Sequence, residues 1–519
     1  MKRKIFLIPL ALLLAISLVA IGCPTTPPTT TPPTTTPPTT TPPTLGGTLR
    51  VIRYVSPGTP IGCPWEVGNT DRAVSEPALE SFLRVRVDMS YEPMLATDWE
   101  IASDKSSVTF TLRKGVKFHD GTDWNAEAAK FNLEQLKAAK KAGTGFWTSI
   151  EVIDDHTLRV NLSGWQNTVL EDIGTVLMIS PTAFQTMGLD GIRWNPVGTG
   201  AFKFVSFERD VATKFVRFDG YWQKGKPYLD ALDMPVITDP VTQSAAMQAG
   251  EGDVLWSPNT IVGAELKAMG FDSIYRHDGT FALIPDSANP DSPFTDKRVR
   301  EALEYAIDRE AIMKALGSGL WGPAYQIACS FNLGYIPDFK GRQYDPAKAG
   351  ALLTDAGYPT GFKTKLIVFP GTSREIMGAI QNYLGEVGIV ADVEYPDMGK
   401  LVDYRRNGWS DALMCVPWII YTNLGRTMST YASSTSGDYV SFMRPAGVDE
   451  LIKEILAADE IDPQKIENLA RIWFDEAMTI PVWYVGSPRS MRAGVVHDTG
   501  MLAFSTKDDW SPESAWLSK

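Results

Sequence analysis

Histidine and cysteine are scarce, with four of each in 519 residues. His119, His156, His277 and His497 lie far apart, and none has a partner ligand at helical spacing, so no His-rich metal site is expected. Cys63, Cys329 and Cys415 show no metal-ligand spacing either; an odd number of thiols in an oxidising compartment allows one disulfide and a free thiol, or buried small residues. Long apolar runs are also few. Residues 5–21 form the one such run, which excludes a polytopic membrane protein. Positive charge is in deficit: 49 Lys+Arg against 61 Asp+Glu give a formal charge of −12, and loss of Lys2, Arg3 and Lys4 would take it to −15. A general nucleic-acid binder needs the opposite sign. Nucleotide and hydrolase signatures are missing as well. Residues 220–226 match G-x-x-x-x-G-K, but Pro227 stands where the magnesium-binding hydroxyl belongs. Gly198-Thr199-Gly200 lacks a third glycine and precedes a strand, so it reads as a tight turn. There is no G-x-S-x-G, no H-E-x-x-H and no conspicuous carboxylate pair. No catalytic residue, metal or cofactor is therefore expected. With 44% hydrophobic and 21% charged residues, the chain is otherwise of ordinary globular composition.

The N-terminus carries an address. A basic start (1–4) and an apolar stretch (5–21) end at Gly22-Cys23, the pattern of a secretory signal over 1–22. Ala20-Ile21-Gly22-Cys23 is similar to the bacterial lipobox, which makes Cys23 the candidate lipidation site, although Leu is commoner than Ala three places before the cysteine. Residues 24–44 are only Pro and Thr, nine of the 21 being Pro. Such a segment builds no core and favours polyproline II, a semi-rigid tether of about 65 Å at roughly 3.1 Å per residue. The tether region is taken as 23–45.

From residue 45 onward strands and helices mix. Residues 48–55 read as a first strand, and Val108, Phe110 and Leu112 alternate with polar residues as a half-buried strand does. Asn125 is a candidate N-cap for a helix bearing Ala129, Leu133 and Leu136. Residues 151–162 and 201–218 read as hairpins. Val299, Ala302, Leu303, Ala306 and Ile307 mark an amphipathic helix. Asp345-Pro346 opens another, closed by Gly357. A strand at 365–369, a helix capped by Ser373 and stopped at Gly388, and a strand at 389–395 predict a parallel pair with a right-handed crossover. Asp462-Pro463 opens a late helix, and 480–485 is a strand interrupted by Pro481.

Several stretches carry a resemblance: YEPMLATDWEIASDKSSVTFTLRKGVKFHDGTDWNAEAAKFNLEQL (91–136), NPVGTGAFKFVSFERD (195–210), RFDGYWQKGKPYLDAL (217–232), AAMQAGEGDV (245–254), DKRVREALEYAIDREAIMKAL (296–316) and YDPAKAGALLTDAGYP (344–359). In order and spacing the chain resembles family 5 of the bacterial extracellular solute-binding proteins, the dipeptide/oligopeptide/nickel group of ABC importers. The resemblance implies a periplasmic-binding-protein-like (type II) α/β fold of two lobes around a central ligand cleft, with an extra domain inserted in lobe I. Carried over by segment order, lobe I is 46–75, 190–275 and 487–519, the inserted domain 76–189, and lobe II 276–486. It further implies a monomer anchored by lipid on the extracytoplasmic face of the cell membrane. Such a receptor captures a peptide or similar-sized solute and delivers it to permease and ATPase subunits, without turnover. A non-peptide solute such as an oligosaccharide, or a secreted hydrolase, are the alternatives.

Peptide-binding members of that family place an Asp shortly after a Trp, in a stretch like GWxADYxDP, to pair with the peptide's amino group. Here the stretch is VPWIIYTN (416–423): Trp418 is kept and the Asp is not. Trp418 and Tyr421, with Asn423 beside them, are the first candidates for a ligand-facing wall, and Trp418→Ala is expected to weaken binding by about tenfold or more. Trp65 follows the first strand, where ligands lie at the C-terminal ends of open α/β sheets. Trp483 and Tyr484 fall near the expected second hinge crossing. Arg426 is a candidate partner for an anionic ligand group.

Overall fold

The computed structural model describes residues 42–518 apart from 69–70, 87–89, 142, 276, 278, 422, 487 and 501–509. The signal segment, Cys23 and most of the Pro/Thr tether lie outside the described residues. No helix among the described residues is long and apolar enough to cross a membrane.

Two mixed sheets organise the chain. The first has seven strands in the order Asp272–Ile274, Arg489–Met491, Val254–Trp256, Thr48–Arg53, Ala231–Pro235, Ala212–Arg217 and Phe202–Glu208. Thr48–Arg53 is central and runs parallel to both its neighbours. Leu49, Val51 and Ile52 are each 1% exposed, the burial expected of a strand covered on both faces. The second sheet has six strands in the order Gly322–Pro323, Ile480–Val485, Gly279–Pro285, Ala412–Ile419, Phe362–Val368 and Ile389–Glu394. The chain passes from the first sheet to the second between Ile274 and Gly279, and returns between Val485 and Arg489. The return strand Arg489–Met491 pairs antiparallel with Val254–Trp256 and Asp272–Ile274, so the chain's end closes the sheet its beginning opened.

Between the parts of the first sheet stands an antiparallel four-stranded sheet, Ala96–Ile101, Ser107–Leu112, Thr157–Leu162 and Trp147–Asp154. Val108, Phe110 and Leu112 face inward as their alternation predicts. Helix Ala126–Ala138 packs on it, and Asn125 accepts the Ala128 N–H at 2.9 Å. The turn at Gly198-Thr199-Gly200 joins this region to the first sheet by close backbone approach. A Cβ on Gly198 would lie 2.3 Å from the Ala78 carbonyl oxygen, and one on Gly200 2.4 Å from that of Pro77, so only glycine fits there.

The crossover read from sequence is present. Phe362–Val368 and Ile389–Glu394 are parallel neighbours joined by helix Arg374–Glu386. The first of these strands starts three residues before its apolar run, because Phe362 and Thr364 pair with Ile389 and Ala391. Helices Pro346–Asp355 and Pro463–Asp475 begin at the Asp-Pro signals, with Asp345 and Asp462 accepting first-turn N–H groups, each cap contributing about 1 kcal/mol. Pro481 is accommodated by a bulge. The register slips between Phe281, opposite Trp483, and Ala282, opposite Pro481, so Val482 is the extra residue where proline offers no N–H to the ladder. Cys63, Cys329 and Cys415 are all buried thiols, the buried-residue alternative; burial pushes the Cys63 thiol up to about 12.

Candidate functional site

Residues from both sides of the crossing line a partly open cavity of about 200 Å³. Pro64, Val67, Gly68 and Arg72 reach it from the segment after the first central strand, Leu136, Lys141, Asp172 and Thr175–Leu177 from the antiparallel region, and Tyr421 and Arg426 from just beyond strand Ala412–Ile419. Other contacts cross the same divide. The Asn167 backbone N–H donates to the Leu456 carbonyl, and its Nδ2 to that of Ile455, both at 2.7 Å; Lys105 meets Asp459 at 3.4 Å on the rim. A wider depression of about 770 Å³ lies elsewhere, lined only by residues of the first sheet's part and its excursion, such as Arg84, Lys267 and Glu513. It does not bridge the two sheets.

The strand explains which side chains reach the cavity. Along Ala412–Ile419, Met414, Val416 and Trp418 point into one apolar cluster, while Leu413 and Cys415 point into another. Both faces are covered along Ala412–Val416. Trp418 is 0% exposed; its ring stacks on Tyr431 at 5.3 Å and meets Trp473 edge-on at 5.6 Å. Trp418, expected in a ligand wall, is thus packed among these rings. Trp65 is likewise packed, edge-on to Phe131 and Phe184 at 6.5 and 5.8 Å, although Pro64 beside it does line the cavity. Trp483 stacks on Phe281 at 4.3 Å. Tyr484 donates to the Gln326 carbonyl at 3.3 Å, and its ring lies 5.2 Å from His277. Asn423 caps helix Leu424–Tyr431, its Oδ1 accepting the Gly425 N–H at 2.9 Å. Of the candidates read from sequence, Tyr421 and Arg426 reach the cavity.

Arg426 sits in the first turn of helix Leu424–Tyr431 and spans the divide. Its Nη2 donates to Asp172 Oδ1 at 2.5 Å, and Nη1 faces Glu171 Oε1 at 3.8 Å. The three side chains are 13%, 6% and 14% exposed, so water screens them little. Burial alone would push the guanidinium pKa down; Asp172 and Glu171 outweigh it and hold the group firmly charged. The Tyr421 ring lies 5.1 Å from the guanidinium carbon. Burial raises the Tyr421 phenol, with Arg426 opposing and the two acids adding, so it stays a neutral hydroxyl. Gly143, at φ 87°, makes room for Asp172: a Cβ there would lie 2.5 Å from Asp172 Cγ.

Arg72, Lys141, Glu171 and Asp172 escaped the reading of the sequence. The available signal was weak: in VLEDIG (169–174) two acids share a short helix with buried Val169, Leu170 and Ile173, the composition of any surface turn.

Residues 90–439 match the bacterial extracellular solute-binding proteins, family 5. A curated relative, the glutathione-binding protein GsiB of Salmonella choleraesuis (strain SC-B67), is 31% identical over 348 residues, 65% of this chain and 67% of its own length. Among solved structures, the periplasmic binding protein DppA of Helicobacter pylori, in complex with the peptide STSA, superposes with a TM-score of 0.76 at 21% identity, covering 92% of this chain and 99% of its own. AgaA of A. tumefaciens R10, in complex with agropinic acid, gives 0.74 at 23% identity over 91% and 99%. The fold is thus that of the periplasmic binding proteins, and the chain belongs to family 5 of the bacterial extracellular solute-binding proteins, which bind solutes rather than convert them.

Proposed function

We propose that the protein is the lipid-anchored receptor of an ABC importer, and that it captures a peptide or similar-sized solute in the cavity bounded by Tyr421 and Arg426. The observation that carries this reading is the cavity itself: its polar wall comes from two parts of the chain that meet only across the crossing strands. Lobe I comprises 46–75, 190–275 and 487–519, the inserted domain 76–189 and lobe II 276–486. The two crossings between them, after Ile274 and after Val485, are the hinges. A solute that touches both walls favours the closed form by as much as it binds that form better. Cys23 carries the lipid after removal of 1–22, and the Pro/Thr tether holds the monomeric receptor near its permease and ATPase, raising its effective concentration there.

The test is capture without conversion. Solute released from the purified protein by denaturation is identified by mass spectrometry and added back during small-angle scattering. Reversible compaction with an unchanged solute is expected; a chemically altered solute, or none that compacts the protein, would overturn the reading. Mass spectrometry of the membrane-extracted protein should show a diacylglyceryl group on Cys23, and a chain still retaining residues 1–22 would refute the anchor.

A further inference from the structure

The contacts that tie the antiparallel region to the helices beyond strand Ala412–Ile419 include a helix cap made at a distance. Helix Val448–Ala457 ends with Ala458 in an extended conformation, φ −64° and ψ 144°, so the chain does not turn back to cover the helix's last carbonyls. Asn167, 288 residues before Ile455 in the chain, covers two of them instead. Its backbone N–H donates to the Leu456 carbonyl and its Nδ2 to that of Ile455, both at 2.7 Å. The Asn167 Oδ1 is buried without a hydrogen bond, so among the described residues the bond to Ile455 is what orients this amide. The Arg426–Asp172 pair and Lys105 with Asp459 cross the same divide.

Close packing makes each side of these contacts one ledge. A Cβ on Gly425 would lie 2.6 Å from Ile455 Cγ2, so the helix that carries Arg426 lies hard against the helix that Asn167 caps. On the other side, Asn167 stands directly before Thr168, whose carbonyl accepts the Asp172 N–H at 2.8 Å. The helix Val169–Gly174 is pressed on Leu83, since a Cβ on Gly174 would lie 2.7 Å from its Cδ1. Asn167 and Asp172 therefore meet their partners together or not at all.

Resting on the capture reading above, we propose that the inserted domain is a clasp for lobe II, with Asn167 as its catch. The clasp forms when the lobes close and breaks when they open, releasing the Ile455 and Leu456 carbonyls to water. Because it joins protein to protein, it favours the closed form by the same amount whichever solute is held. The closed fraction scales the intrinsic affinity. The inserted domain thus sets how tightly every solute is retained, while the cavity wall sets which solute is chosen.

Fluorophores at Ile153→Cys and Val390→Cys, exposed positions on the inserted domain and lobe II, report the open and closed populations by single-molecule energy transfer without solute. Asn167→Ala should lower the closed-to-open ratio by roughly fivefold, the effect of losing one neutral hydrogen bond. Asn167→Asp, which turns a carboxylate towards two carbonyls, should lower it further. Unchanged near-ultraviolet circular dichroism guards against a folding defect. Calorimetry with Ala-Ala-Ala and glutathione should show the affinity of each probe that binds falling by the factor by which the closed fraction falls. Equal populations in the parent and both variants, or losses that differ between the two probes, would overturn the clasp. If neither probe binds while the populations shift as expected, the clasp stands and the peptide-sized solute of the capture reading falls.

Discussion

Trp418 and Arg426 are close in sequence, yet their surroundings are opposite. Trp418 lies inside a strand whose two faces are both covered, and its ring disappears among Tyr431, Tyr439, Phe442 and Trp473. Arg426 lies past the strand's end, where the chain has turned into a helix, and its guanidinium reaches across to another part of the fold. The first environment is dry and is held by area and shape; the second is charged and is held by pairing. The contrast shows that the bulky aromatic belongs to the packing, while the residues beyond the strand line the cavity.

The largest expected effect is on the dry side. Trp418→Ala should destabilise the fold by about 3–5 kcal/mol, the cost of truncating a fully buried aromatic, read as a fall in the urea midpoint. Unchanged stability with abolished binding would return Trp418 to the ligand wall. On the charged side, Arg426→Gln leaves two carboxylates facing each other and should cost the closed form on the order of 3 kcal/mol. Because opening admits water, the loss should appear as a larger radius of gyration without solute rather than as global unfolding. Asp172→Asn should open the protein less, since Arg426 keeps Glu171; the reverse ranking would break the charge argument.

A third site, buried and polar, separates pairing from burial. Burial pushes Glu80 up to about 7, against hydrogen bonds from Tyr221, Trp222 and Thr199. The folded state then holds a proton the unfolded state has lost, so Glu80 lowers stability as pH rises from about 4.5 to about 7. His119, which donates to the Gly200 carbonyl at 2.8 Å, is pushed down to about 4 by burial; its contribution is lost as pH falls from about 6.5 towards 4. The two slopes oppose each other between about pH 4.5 and 6.5. Glu80→Gln should therefore make stability rise more steeply with pH in that window, and a flatter profile would disprove the assignment. The smallest effect belongs to the rim: Lys105→Ala, which removes an exposed pair with Asp459, should change stability and closure by less than about 0.5 kcal/mol.

Much of the architecture was legible in the residue order. The caps at Asn125, Asp345, Ser373 and Asp462, the hairpins, and the parallel crossover all depend on neighbours within a few residues. Local hydrogen bonding and periodicity settle such features wherever the chain goes. The family's segments, in their order, carried the two-sheet plan as well. The wall of the cavity was not legible in this way. Asp172 and Arg426 are 254 residues apart and owe their meeting to two crossing segments that fold one sheet's excursion over the other's strand ends. Trp418 was placed by the parity of a strand covered on both faces, which composition does not reveal. Capping and period act through the chain, whereas charge pairing and burial act through space, and only the folded molecule decides which distant groups share that space.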